Sequence, residues 1–178
     1  MTLSVDVIVE DDRWSDFEGF PEWREMANSL FNETVKLACG NSVGFFANLL
    51  LTDDSAIRTL NLGFRGVNNS TNALSFPQYE SKYFRNLLEG DKVMKRMEDV
   101  MIGDVAMSFD AVVDESIRFG KPFWDRCSHL FVHSALHLLG MDHTEDCETQ
   151  AMESLESKIL GLFEIYDPYV LGVDEETL

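Results

Sequence analysis

Three of the chain's four histidines, His133, His137 and His143, stand within eleven residues whose spacing is H-x-x-x-H-x-x-G-x-x-H. Residues four apart on a helix share one face, with Cβ atoms about 5–6 Å from each other, so His133 and His137 point the same way. Gly140 follows, and a glycine of positive φ ends a helix and reverses the chain, which turns His143 back toward the other two. Three neutral imidazoles suit zinc and leave its fourth position for water. The run therefore predicts a helix that carries an open zinc site.

The same spacing occurs in the zinc-protease motif H-E-x-x-H-x-x-G-x-x-H. In that motif the glutamate after the first histidine is the general base. Here Ser134 stands at that position, and a serine hydroxyl cannot take a proton from water at neutral pH. The metal helix is therefore similar to that of a zinc protease, but the usual base is missing. A zinc metallopeptidase remains an alternative that this substitution disfavours.

The composition indicates one globular domain. The 178 residues are 45% hydrophobic, and no repeat or linker divides them, so we predict a single domain over residues 1–165 and an acidic tail over 166–178. The N-terminus lacks the basic and apolar pattern of a signal peptide, and no apolar stretch is long enough to span a membrane. Cys39, Cys127 and Cys147 form no C-x-x-C pair and are expected to be reduced. These features favour the cytoplasm and no membrane partner.

The charge is strongly negative but uneven. A net charge of -18 disfavours binding of nucleic acid over the whole surface. Between residues 82 and 96, however, there are five basic residues, and the aromatic residues Tyr79, Tyr83 and Phe84 lie beside or among them; the basic residues are Lys82, Arg85, Lys92, Lys95 and Arg96. The basic side chains of such a cluster can bind the phosphates of a nucleic acid while its aromatic rings stack on the nucleobases. It can equally be a solvated helix face. On sequence alone, Lys95 and Arg96 are candidate substrate contacts and no more.

The hydrophobic pattern predicts an α+β fold in which a mixed four-stranded sheet is packed by about five helices. Alternating or continuous apolar runs predict strands at residues 3–9, 43–51, 73–76 and 101–108. Apolar residues at helical spacing predict helices at residues 21–39, before Gly66, at 109–119, at 123–139 and after Thr144. The element order is β-α-β-α-β-β-α-α-α, with the zinc site at one edge of the sheet.

With these segments in place, the chain resembles the YbeY family of bacterial endoribonucleases, the rRNA maturation factors. The family's motif H-G-x-L-H-L-x-G-Y-D-H is similar to residues 133–143, with Ser134 for the glycine and Met141 for the tyrosine. Its arginine and D-V-L-S-F-P strand are similar to Arg65 and residues 72–77, where Asn72 replaces the aspartate. Its L-G-D-I strand is similar to residues 102–105. Its M-x-x-x-E pattern is similar to Met152 and Glu156, and the connection between residues 77 and 102 is longer than the family's.

The resemblance implies a zinc-dependent, single-strand-specific endoribonuclease that acts in 16S rRNA 3′-end maturation and in ribosome quality control. One Zn²⁺ per chain would be held by His133, His137 and His143, with His133, His137 and Arg65 as the catalytic residues. Arg65 and Ser75 would also contact the substrate. The implied partners are single-stranded RNA and small-subunit components, with no DNA. The nucleophile stays open between a water activated by the metal and the RNA 2′-hydroxyl.

Other readings of these residues stay open. His129, four residues before His133, is expected to pack or to support the site rather than to bind metal. Asp142 either orients a histidine or serves the turn. A non-enzymatic ribosome-assembly factor with structural zinc is a further alternative, but closed structural sites have four protein ligands and often cysteines. Cys147 is the sole thiol near the run in sequence.

Overall fold

The computed structural model describes residues 3–40, 44–81, 100–142 and 146–170. Within these ranges the chain forms four strands and six helices. The strands are β1 (Ser4–Val9), β2 (Phe45–Thr52), β3 (Ala73–Pro77) and β4 (Val100–Ser108). The helices are α1 (Arg13–Asp16), α2 (Phe20–Cys39), α3 (Asp54–Arg65), α4 (Phe109–Phe119), α5 (Phe123–Leu138) and α6 (Asp146–Gly161). None of the described helices is long and apolar enough to cross a membrane.

The four strands form one mixed sheet in the order β1-β2-β4-β3. β1, β2 and β4 are parallel, whereas β3 runs antiparallel to β4 at the edge of the sheet. Val5 and Val7 in β1 are buried and alternate with exposed Asp6 and Ile8, which is the two-residue period of a strand with one covered face. Helices pack on both faces, but the second face is only partly covered, since Asp104 in the middle of β4 stays exposed.

The larger core lies between the sheet and the helices α2, α5 and α6. Trp23 of α2 stacks on Trp124 of α5, with ring centroids 5.1 Å apart, and its indole nitrogen donates to Ser128 Oγ at 2.9 Å. These contacts fix the position of α5 against α2. A smaller cluster on the opposite face packs Ile57 of α3 against Leu74 of β3. The edge strand β3 is therefore held between α3 on one face and α5 on the other.

The predicted α+β class and the mixed four-stranded sheet are confirmed. The four-residue helix α1 was not predicted, because four residues are too few to show a helical period. The part of the predicted tail that the structure describes, residues 166–170, contacts the rest of the domain. Tyr166 packs against the core, and Ser157 Oγ donates to Asp167 Oδ1 at 2.9 Å. The domain boundary at residue 165 stays a prediction.

Gly103 gives a sharp test of how the edge strand is held. Its φ is 143°, and an added Cβ would lie 2.3 Å from the backbone oxygen of Phe76 and 3.0 Å from Leu138 in α5. Gly103→Ala should therefore lower the free energy of unfolding by about 3 kcal/mol or more, as measured by urea denaturation. Gly63→Ala is the matched control. A Cβ at Gly63 would meet nothing within 4 Å, and the change should stabilise α3 by about 0.5–1 kcal/mol. Equal effects at the two positions would contradict the predicted close contact.

Candidate metal centre beside the edge strand

Helix α5 places His133 and His137 on one face, as the sequence predicted. Their ring centroids are 4.6 Å apart, and the two Nε2 atoms are 3.1 Å apart. The helix ends in a Schellman motif, in which Met141 N–H donates to the Leu136 carbonyl at 3.1 Å and Gly140 N–H to the His137 carbonyl at 3.0 Å. Gly140 takes the positive φ of 78° that this ending requires. The chain reversal predicted from Gly140 is therefore present.

The hydrogen bonds of the two rings fix where their protons lie. His137 Nδ1 is 2.9 Å from the carbonyl oxygen of Met141, which can only accept, so Nδ1 carries a proton. His133 Nδ1 is 2.9 Å from Glu156 Oε1 and donates to that carboxylate. In a neutral imidazole with its proton on Nδ1, Nε2 carries no proton and can only accept or bind a metal. Both Nε2 lone pairs consequently point to the same place.

This donor set fits a zinc ion. Two nitrogens bound at about 2.0–2.1 Å around a tetrahedral ion are about 3.3 Å apart, close to the 3.1 Å between the two Nε2 atoms. A cation between these two nitrogens would be attracted by both lone pairs. Within the ranges that the structure describes, no group of three or more metal-binding side chains is present. The predicted third ligand, His143, lies outside the described residues.

Glu156 of α6 is the residue whose importance the sequence did not reveal. It is fully buried, and its carboxylate accepts hydrogen bonds from His133, from His129 Nε2 at 3.0 Å and from the hydroxyl of Tyr169. Burial by itself raises the pKa of Glu156, but these three donors outweigh it and lower the pKa to about 2. An ionised, acceptor-only carboxylate holds the Nδ1 proton on His133 and so turns Nε2 outward. The family pattern around Met152 marked the position of Glu156, without its role.

His129 supports Glu156 and has both ring nitrogens engaged. Arg126 Nη1 is 2.8 Å from His129 Nδ1, and since a guanidinium only donates, Nδ1 must accept. The proton therefore lies on Nε2, which donates to Glu156. Arg126 itself forms a salt bridge with Glu115 of α4 at 2.7 Å, and Glu115 also accepts from Asn72 at 3.0 Å. These contacts match the supporting role predicted for His129; those of Arg126 and Glu115 were not anticipated.

A cleft of about 540 Å³ opens above the two histidines, between β3 and α5. Arg65, at the end of α3, lines it, is exposed and has no hydrogen-bond or ion-pair partner among the described residues. Ser75 of β3 also lines the cleft, with its Oγ 3.4 Å from the Ser134 carbonyl oxygen, and so does Asp142, two residues after Gly140. The structure thus brings Arg65 and Ser75 to the histidines. Lys95 and Arg96 lie outside the described residues.

Replacing Glu156 should damage both the fold and the ring orientation. Glu156→Gln keeps the size of the side chain, but the amide offers only one acceptor oxygen, and its NH₂ group faces donors. The free energy of unfolding should therefore fall by about 3 kcal/mol. Glu153→Gln on the same helix removes an equal charge from a half-buried side chain and should change stability by less than about 0.5 kcal/mol. Urea denaturation of both variants measures the difference. Equal stabilities would contradict the predicted contribution of the hydrogen bonds of Glu156 to the fold.

Comparisons with known proteins agree with this architecture. A family model described as Endoribonuclease YbeY matches residues 13–164. Endoribonuclease YbeY from Paracoccus denitrificans is 37% identical over 166 residues, which are 93% of this chain and 90% of that protein. The protein of the same name from Bartonella henselae is 35% identical over 167 residues, 94% of this chain and 97% of that protein.

A solved structure shares the fold. The solution structure of TM1509 from Thermotoga maritima covers 93% of this chain and 99% of its own, with a TM-score of 0.53 and 21% sequence identity. At that identity the likeness concerns the fold alone. The family model and the curated relatives, each matched along most of the chain, carry the assignment: this protein belongs to the endoribonuclease YbeY family.

Proposed function

We propose that this protein is a zinc-dependent endoribonuclease that cleaves single-stranded RNA, acting in 16S rRNA 3′-end maturation and ribosome quality control. Its family membership supports the reaction class. The observation that carries the proposal is that two imidazole lone pairs meet at one point in a cleft that Arg65 also lines, with no partner for its guanidinium among the described residues. The partners would be rRNA and small-subunit components, the compartment would be the cytoplasm, and DNA would not be a substrate.

His133, His137 and His143 would hold the zinc ion. A zinc ion at such a site supplies Lewis acidity toward a phosphodiester and toward water. The task of the protein is to orient the ligands. Glu156 does so for His133 and the Met141 carbonyl does so for His137, since each acceptor holds a proton on Nδ1.

Arg65 would bind the phosphodiester. Its guanidinium is always charged and presents N–H groups in a fork that matches two phosphate oxygens. Because it has no partner within the described ranges, binding of a phosphate there would not require an existing ion pair to break. Charge that develops on the phosphate during cleavage would be stabilised by the same group.

Glu156 would orient the site rather than act as the general base. Its Oε1 accepts from His133, and its Oε2 accepts from His129 and Tyr169, and the side chain is buried, so neither oxygen is available to take a proton from water.

The peptidase alternative lacks the glutamate that would act as its general base. Ser134 occupies the position of the protease glutamate and is 1% exposed. Chelator-sensitive cleavage of denatured casein would be the result that favours the peptidase.

Loss of one ligand should remove metal and activity together. The wild type is expected to contain about one zinc per chain by elemental analysis, and His137→Ala should lose most of it together with cleavage of a single-stranded RNA. Cys147→Ser is the matched control, and it should keep both. Loss of zinc in Cys147→Ser would indicate a four-ligand structural site and favour the assembly-factor alternative. Zinc without cleavage of RNA by the wild type would also favour it.

Arg65 should contribute to turnover rather than to folding. Arg65→Gln is expected to lower kcat/KM for single-stranded RNA by about 100-fold, because a fixed charge at the phosphate is lost. Arg58→Gln removes an exposed arginine from the same helix, one that instead contacts Asn68, and should change kcat/KM by less than about threefold. Arg65→Lys should recover only part of the loss, since an ammonium cannot fork two oxygens. Equal kcat/KM for the two glutamine variants would refute the role of Arg65.

A further inference from the structure

We propose that Tyr169, in the segment after α6, is a positioning residue of the metal centre. It would act through Glu156 to hold the His133 imidazole in its ligating orientation. The inference rests on the proposed function in one respect, namely that His133 binds zinc. It adds to that function a residue 26 positions further along the chain than His143, supplied by a part of the protein outside the histidine run.

The first step is the contact between Tyr169 and Glu156. The Tyr169 hydroxyl donates to Glu156 Oε2, the oxygen that also accepts from His129 Nε2. The hydroxyl lies 3.5 Å from His129 Nε2, and the two rings meet edge to face with centroids 5.8 Å apart. Two donors thus converge on Oε2, while Oε1 is left to His133. Because two donors hold Oε2, the carboxylate cannot rotate Oε1 away from the third donor, His133.

The second step is how Tyr169 itself is held. Asp167, Pro168 and Tyr169 form a turn in which Asp167 Oδ1 accepts from the Tyr169 backbone N–H at 2.9 Å. The same Oδ1 accepts from Ser157 Oγ at 2.9 Å. Ser157 directly follows Glu156 on α6, so the segment is anchored next to the carboxylate that it serves. The turn therefore sets the position of the Tyr169 hydroxyl from the same helix that carries Glu156.

The third step separates positioning from packing. The side chain of Tyr169 lines the cleft, and the residue is 39% exposed, so its ring contributes little to the core. Its hydroxyl donates to Glu156, and Glu156 in turn accepts from the His133 ring that would bind the metal. Loss of the hydroxyl should consequently weaken zinc binding more than it weakens the fold. Partners that orient metal ligands in this way change metal affinity by about 10–100-fold when they are removed.

The test compares two tyrosines of the same segment. Tyr169→Phe should lower the affinity of the folded protein for Zn²⁺ by about 10-fold, as measured by competition with a chelator. Tyr166→Phe removes a hydroxyl three residues earlier, one that faces Arg126 rather than Glu156, and should leave the affinity within about twofold of the wild type. The thermal midpoint of each metal-free variant reports the fold separately. A lowered midpoint with unchanged Zn²⁺ affinity would mean that Tyr169 is only structural, and would overturn the proposal.

A double-mutant cycle tests the path through the turn. Asp167→Ala loosens the segment and should also weaken Zn²⁺ binding, but it should add nothing in the Tyr169→Phe background, because both changes act through the same hydroxyl. Independent, additive losses would contradict this path.

Excess Zn²⁺ should restore RNA cleavage by Tyr169→Phe, since Tyr169 acts on the metal ligand His133 and not on the RNA. Failure of excess zinc to restore cleavage, with affinity unchanged, would place Tyr169 on the substrate instead.

The outcomes distinguish this inference from the proposed function. A wild type that binds no zinc would remove the metal centre and, with it, the premise of the inference. A wild type and a Tyr169→Phe variant that bind zinc equally would overturn the role of Tyr169 alone. Weaker binding by the variant would support that role even if the wild type cleaved no RNA.

Discussion

The carboxylate of Glu156 is the group on which the arrangement of the site depends. It is buried and accepts hydrogen bonds from three of the described side chains, whose N–H and O–H dipoles balance its charge. Such a charge is tolerated in the interior only while every donor stays in place. The donors come from two turns of α5 and from the segment after α6. The fold of these elements and the orientation of His133 are therefore coupled, and a change in either is transmitted to the other.

Helix α5, which carries both histidines, is itself held firmly in the fold. The helix is packed against α2 through the stacked pair Trp23 and Trp124, and against β3 through the contact of Ser75 with the Ser134 carbonyl. Its C-terminus is closed by the Schellman motif at Gly140, which also turns the Met141 carbonyl back to His137. One ring is therefore oriented by a side chain of another helix and the other by the backbone of its own helix end. A site held by elements of the scaffold keeps its geometry better than one held by loops.

The parts of the site that the sequence predicted are those encoded by neighbouring residues. The four-residue spacing of His133 and His137 and the glycine at position 140 are local signals, because helical period and the preference of glycine for positive φ act within a few residues. The strand at Ala73–Pro77 and its closing proline were readable for the same reason. Glu156, Arg126 and Tyr169 were missed as site residues because their partners lie 23, 11 and 13 positions away in sequence. No local period indicates which of many acidic, basic and aromatic side chains will meet across three elements.

The local charge of the cleft also differs from what the net charge of -18 implies. Glu115 is paired with Arg126, and Glu156 is buried behind the histidines, so neither carboxylate meets an incoming phosphate directly. Arg65 lines the cleft and has no counter-ion among the residues described. At physiological salt, charges more than about 8 Å apart at the surface are largely screened, so these near groups outweigh the distant acidic surface. An acidic protein of this kind gains little from long-range steering of RNA. Its affinity for a phosphodiester must come from short-range contacts in the cleft, which is why a single arginine there is expected to affect turnover strongly.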